Sequence, residues 1–354
     1  MRSFLVYDKT WTTLQYSIRD FISFKLEYNL KWQSPLTLGL PTGYPFSTKE
    51  VLQKKNQIWI RKSGVIIWKG IINSVEPTPT ELKVLCNDFS DILAGRFIEG
   101  TLTYTGANIG VVVNSLLDYA ESKGPTYITT RDIFSTKTGT FEFTGISVYD
   151  AILQAVGTGS EWFVYRNTFV MQDVVWVNQI QPFLYDEFNA VSCTIMDLKL
   201  YEEWKNIVNK LYAKWQGPLV ATAQNPTSIT KYGLFESTKT FQNANDLPTL
   251  QRLADEFVLM NGEEYVSVSF KPIVKNANDR WQFFIGDTAT VKIKKRYLQL
   301  DKQMRIVKIT YDVKQKSSIN PWLVFEVSDD NIPGKWLLED IGDMKKRIIK
   351  LENP

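Results

Sequence analysis

The sequence predicts a mainly β chain of the α+β class, and three observations carry that reading. Short β-rich runs recur near the front, centred on Ile60, Ile72 and Val84, twelve residues apart. Three more recur near the end, centred on Ile293, Ile309 and Phe325, sixteen apart. Between the two sets, apolar residues switch to helical spacing. That order predicts two small meandering sheets, one in each half, with helices between them.

Residues 1–95 alternate apolar and polar positions, broken by Pro35, Gly39, Pro41, Gly43, Pro45, Gly64, Pro77 and Pro79, the punctuation of antiparallel strands. Lys62, Ser63 and Gly64 read as a hairpin turn. Period two places Leu82, Val84 and Cys86 on one strand face and Lys83 on the other. From about residue 100, Ile109, Val112, Val113, Leu116 and Ala120 define a helix that Gly124 and Pro125 end. Ser147 and Asp150 form a capping box for a second helix, with Val148, Ile152 and Val156 as its stripe and Gly157 as its stop. Strand-like runs follow at Trp162–Tyr165 and 168–177, so 96–190 reads as a separate α+β unit.

Strand patterning resumes after residue 190, and the polar, turn-rich stretch 217–233 is expected to be an exposed loop. Asp246 and Pro248 open a third helix, with Leu250, Leu253, Ala254 and Phe257 inward and Gly262 at its end. In the first rear strand, Lys292, Lys294 and Arg296 share one face and Val291 and Ile293 the other. Such a cationic face suits a polyanion. The simpler reading is the wet face of an edge strand, where lysine guards against aggregation. Residues 333–354 read as a short amphipathic helix, with Leu337, Ile341, Met344, Ile348 and Leu351 spaced 4-3-4-3 as a heptad seam. Two heptads do not make a coiled coil alone, so the seam lies on its own subunit or docks a partner.

At 354 residues the chain is long enough for two to four compact units. A net charge of +3 argues against a dedicated nucleic-acid binder. No apolar run is long enough to span a bilayer and the first ten residues lack a secretion signal, so a soluble chain made in a cytoplasm is expected. Cys86 and Cys193 sit in apolar, strand-like runs and read as buried free thiols. The most restrictive number is zero histidines, which closes imidazole-dependent hydrolysis and histidine metal sites. The adjacent acids Glu202 and Glu203, Glu263 and Glu264, and Asp329 and Asp330 would point to opposite strand faces, so none is the facing pair a glycosidase uses. No catalytic residue, metal ligand or cofactor is expected. Trp11, Trp59, Trp68, Trp162 and Trp176 read as exposed aromatics, suited to stacking on sugars or to a protein interface.

Several segments form a collinear series: Leu36–Pro41, Ile58–Glu76, Leu82–Arg96, Gly145–Leu153, Asn206–Tyr212, Lys231–Gly233, the 246–262 helix and Ile285–Ile293. In that order the chain resembles the tail hub, or minor tail protein, family of long-tailed bacteriophages, of the siphophage type and related to the baseplate hub of contractile tails. The resemblance implies two tube-type β-barrel domains, at 1–95 and 191–332, with the α+β domain 96–190 inserted and the helix 333–354 following. It implies a structural virion protein, a homotrimer forming a pseudo-sixfold ring at the distal end of the tail tube. The implied partners are its own copies, the tail tube or distal tail protein, the tape-measure protein and a tip or fibre protein, with nucleic acid at most passing through the channel. A glycan-binding receptor protein is the alternative, and a carboxylate-dependent cell-wall glycosidase a weaker one.

Overall fold

The computed structural model describes residues 2–329 except 32, 63, 158–159, 174–182, 190–192, 204–206, 216–219, 242–243, 245, 264, 274–284, 297 and 315–321. The front strands form where the alternation places them: β1 (Arg2–Tyr7), β2 (Leu14–Ile18), β3 (Ser23–Asn29), β4 (Leu36–Pro41), β5 (Gln57–Lys62), β6 (Val65–Pro77) and β7 (Glu81–Asn87). β5, β6 and β7 are a meander. Gly64, at φ 88°, turns β5 into β6 in a conformation that disfavours a Cβ. In β7, Val84 and Cys86 are buried while Lys83 is exposed.

The next elements are α1 (Ser90–Ala94), β8 (Thr101–Asn108), α2 (Ile109–Ser122), β9 (Thr130–Ile133), β10 (Thr138–Thr144), α3 (Val148–Val156), β11 (Glu161–Tyr165) and β12 (Thr168–Gln172). The apolar stripe of α2 is buried, and Asn108 caps the helix by accepting from the Gly110 and Val111 amides. Ser147 caps α3 through the Asp150 amide, as its capping box predicts. Both helices pack with α1, β8, β10 and β12 around one core that includes Phe141, Phe143 and Trp162. β8 pairs with β10, while β9, β12 and β11 form a three-stranded sheet.

Then follow β13 (Phe183–Asp186), β14 (Ile195–Glu203), β15 (Lys210–Lys214), β16 (Val220–Gln224), α4 (Pro226–Tyr232), β17 (Glu236–Thr240), α5 (Leu247–Asn261), β18 (Tyr265–Pro272), β19 (Thr288–Lys295), β20 (Leu298–Lys314) and β21 (Trp322–Asp329). The expected loop over 217–233 is corrected here, because it contains β16 and α4. Alternate burial of Ala221 and Ala223 makes β16 one face of a small core, a signal that alanine's modest hydrophobicity hides. Asn225 caps α4 and Pro226 occupies its first turn, which is helix-start chemistry inside a turn-rich composition. The third predicted helix is α5, capped by Asp246. It packs on β16 and β15, so these strands and α5 make a third core of Leu211, Ala213, Leu250, Ala254 and Val258, with β17 paired to β15 at its side.

The two meanders are not separate sheets. β3 pairs antiparallel with β20 from Ser23↔Lys314 to Asn29↔Lys308, which fuses front and rear strands into one 13-stranded sheet. Its main path runs β14-β18-β21-β20-β3-β4-β7-β6-β5-β1-β2, with β19 on β20 and β13 on β19. The described pairings trace no closed barrel. Phe4, Leu26, Trp68, Val291, Phe270 and Phe325 share its core, so residues from both ends of the chain bury one another. β13, which falls in the 96–190 stretch, belongs to this sheet through parallel pairing with β19.

The β11–β12 hairpin is buried on both faces. Trp162, Val164, Phe169 and Met171 point into the helical core, whereas Phe163 and Val170 point into the core of the large sheet. Continuous apolar runs are what a doubly covered strand requires. Trp162→Ala and Phe163→Ala are each expected to cost about 3–5 kcal/mol in denaturant unfolding. Equal losses on opposite faces are the outcome that fits; a neutral Phe163→Ala would show that the insert does not pack on the sheet.

Candidate assembly surfaces

The turn between β3 and β4 lies where the large sheet meets the helical insert. Lys31 adopts φ 59°, uncommon for a residue with a side chain, and its amide donates to the Trp162 carbonyl at 2.8 Å. The Tyr149 hydroxyl donates to the Lys31 carbonyl at 3.2 Å, and Lys31 Nζ donates to the Gly157 carbonyl at 3.2 Å. Burial pulls Lys31 down to about 8, against the opposing pull of Glu161 and Glu256. Gln33 Nε2 donates to Asp91 at 3.0 Å, and the Ser34 amide to Asp88 at 2.8 Å. Asp88 lies between β7 and α1, where the chain leaves the sheet, and also accepts from the Ser90 amide at 3.0 Å. Burial pushes its carboxyl up to about 6 despite these donors.

Charges from each unit surround this turn. Arg305 on β20 pairs with Glu161 on β11, both side chains being less than a tenth exposed. On α5, Arg252 Nη1 lies 2.8 Å from Glu256, which Lys137 approaches to 3.8 Å. The Thr140 amide donates to Thr249 Oγ1 at 3.1 Å, joining β10 to the start of α5. Large sheet, helical insert and third unit are thus pinned around one residue cluster.

The tryptophans divide. Trp68 and Trp162 are core residues, which corrects their reading as exposed, since each fills space between packed layers. Trp176 lies outside the described residues. Trp11 and Trp59 are half-buried in a cluster with Tyr7, Tyr127 and Lys69. Trp59 is 4.2 Å from Tyr7 between ring centroids, and Lys69 Nζ stands 4.1 Å over its ring. Asp8 holds the β1–β2 turn by accepting from the Thr12 and Thr13 amides, which presents Trp11 to Tyr127 of the insert at 5.6 Å. These rings serve a contact within the subunit.

The rear cationic face is only partly as predicted. Val291 and Ile293 are buried and Lys292 and Lys294 lie opposite, but Arg296 sits in the turn after β19, where its amide donates to Glu187. β19 is not an edge strand, because β13 and β20 flank it. Lys292 is bound to Asp301 on β20 at 2.9 Å, so its charge is locally answered. Cys193 is half-buried and precedes β14 instead of lying in it, its thiol against Asp186, while Cys86 is a buried thiol. Among the described residues no cluster of metal-binding side chains occurs. The heptad seam, Leu337, Ile341, Met344, Ile348 and Leu351, lies outside the described residues. Sequence reasoning missed the charged turn because its members are far apart in the chain, and Lys31 stands among polar residues such as Asn29, Gln33 and Ser34 that give no local sign of burial.

No family model and no curated protein matches the sequence. Solved structures do match its fold. A tail protein from Neisseria meningitidis MC58 is 12% identical with a TM-score of 0.67, covering 94% of this chain and 96% of that one. The prophage tail protein gp18 from Listeria monocytogenes EGD-e is 12% identical at TM-score 0.65, covering 97% and 98%. An E. coli component of the type VI secretion system, described as similar to the T4 tail proteins gp27 and gp5, is 9% identical at TM-score 0.55 over 94% of this chain and 77% of that one. The chain therefore has the fold of phage tail proteins along nearly its whole length.

Two expected outcomes follow from the charged turn. Asp88 holds its proton up to about pH 6 when folded and to about 3.8 when unfolded. Between those values the native state binds more protons, so this group's contribution to stability is lost as pH rises through the window. Asp88→Asn should flatten that part of the pH profile of the urea midpoint; an unchanged profile contradicts the assignment. Glu161→Gln should cost about 3–5 kcal/mol by leaving Arg305 buried and unpaired, and adding Arg305→Met should restore part of it. Additive losses in the double-mutant cycle would show that the two side chains are not coupled.

Proposed function

We propose that this chain is the structural hub of a bacteriophage tail, a homotrimer that forms a ring at the distal end of the tail tube. The observation that carries the reading is the whole-chain likeness to phage tail proteins, with the front and rear meanders joined in one subunit. Two like meanders per subunit give three subunits six similar β units, which is how a threefold ring can seat on a sixfold tube. Heterologous contacts that close generate such rings. The tube-type domains are then 1–95 and 191–332, with the α+β domain 96–190 and the third unit, within 207–262, outside the ring wall.

The role is mechanical. The ring continues or closes the channel, contacts the tube or distal tail protein above and the tape-measure protein at its axis, and anchors tip or fibre proteins. Its place is the tail tip of the virion. The glycan-binding alternative loses much of its support, since Trp68 and Trp162 are core and Lys69 and Tyr127 engage the rings of Trp59 and Trp11.

Mass photometry and class averages of the purified chain test the assembly, and antibody labelling of virions tests its place. Trimers with threefold projections and label at the distal tail end are expected. A stable monomer that is absent from virions would overturn the proposal.

A further inference from the structure

The third unit guards one edge of its sheet and leaves the other open. β16 and β17 flank β15, the first antiparallel to it and the second parallel. On β16 the Thr222 carbonyl, which points away from β15, accepts from Gln251 Nε2 on α5 at 3.1 Å. On β17 no such cover occurs among the described residues. The Lys210 amide donates to the Phe235 carbonyl at 3.1 Å and the Phe241 amide to the Lys214 carbonyl at 2.8 Å, so residues 235, 237, 239 and 241 bond to β15. The backbone groups of Glu236, Thr238 and Thr240 therefore point outward, and all three residues are exposed. Edges are ordinarily blunted by proline, a bulge or a lysine held in solvent. β17 contains no proline, pairs with β15 without a shift of register, and turns its lysine inward.

The inward row gives this edge its chemistry. α5 packs chiefly on β16 and β15, which leaves the same face of β17 partly open. Alternation places Phe235, Ser237, Lys239 and Phe241 on that face. Phe235 is 46% exposed. Lys239 Nζ stands 4.3 Å from the centre of the Phe257 ring on α5 and 5.3 Å from that of Phe241. Burial lowers its ammonium below the ordinary lysine range, and among the described residues no carboxylate answers it. A partly buried cation and an exposed phenyl ring thus lie four positions apart on a strand whose outer backbone is unpaired.

We propose that the open edge of β17 takes up an extended strand of a different protein, with an acidic side chain toward Lys239 and an apolar one, four positions away, toward Phe235. Unpaired backbone selects an extended segment, since added main-chain hydrogen bonds supply affinity and alternate side chains supply specificity. The cation selects the acid. A second β17 is a poor occupant, because antiparallel self-pairing about Thr238 sets both Lys239 side chains diagonally on one face, where like charges repel. The inference rests on the geometry of the third unit and stands whether or not the chain is a tail hub.

The full-length chain and the labelled peptide Val-Thr-Ser-Thr-Glu-Thr-Ser-Thr-Val, which sets valine four positions from glutamate in either direction, test this by fluorescence anisotropy. Expected is saturable binding that weakens about tenfold or more when lysine replaces the glutamate. Lys239→Met should abolish that preference. Thr238→Pro removes an outward N–H while leaving the bonds to β15 in place, so binding should be lost with native circular dichroism retained. If this variant misfolds, the fully N-methylated peptide, which cannot donate, makes the same test on the native chain and should not bind. No binding by the parent peptide, or equal binding by the N-methylated one, would overturn the proposal. Slow amide exchange at Thr238 and Thr240 in the chain alone would also overturn it, in favour of a segment of the same chain if independent of concentration and of a second copy if not.

Discussion

The antiparallel pairing of β3 with β20 is the constraint on which the rest of the molecule depends. It joins residues nearly three hundred positions apart in sequence, from Ser23↔Lys314 to Asn29↔Lys308. Without it the front meander would present β3 and the rear meander β20 as open edges, each exposing unpaired backbone groups. With it, one core extends from Phe4 to Val327. Tyr28 and Tyr311 meet across this seam at 6.0 Å, and the Tyr28 hydroxyl reaches the Ile67 carbonyl on β6 at 2.8 Å.

That seam also locates the charged turn. β3 ends where Lys31 begins the passage to β4, so fixing β3 against β20 places Lys31 beneath the β11–β12 hairpin. Charges buried there are expensive, and the directions of the Lys31 and Asp88 shifts show that burial outweighs their partners. The apolar contacts of Phe163 and Val170 supply the attraction, and the polar groups set the orientation. A hairpin covered on both sides leaves little freedom for the insert to swing.

Much of this fold was legible in the sequence because its signals are local. The α2 stripe from Ile109 to Ala120, the Ser147 cap of α3 and the Gly64 hairpin each depend on residues within a few positions of one another. β16 and α4 were hidden because Ala221 and Ala223 carry little hydrophobic contrast and the helix starts on Asn225 and Pro226, residues shared with turns. The fusion of the two meanders was invisible for a different reason: nothing in the alternation of β3 or β20 names its partner. Trp68 and Trp162 show the same limit, since a tryptophan in an alternating run reads alike whether a second layer covers it or not. The charged turn was the least legible, as it depends on which elements the long-range pairing brings side by side.

The subunit is built as one large sheet to which the helical insert and the third unit are pinned. Native-state hydrogen exchange across a denaturant series tests this unity most directly. Amides of β3 and β20 and those of both meanders should exchange only through global unfolding, with one common opening free energy. Opening of β18–β21 at a clearly lower free energy, with β3–β7 still protected, would contradict the account.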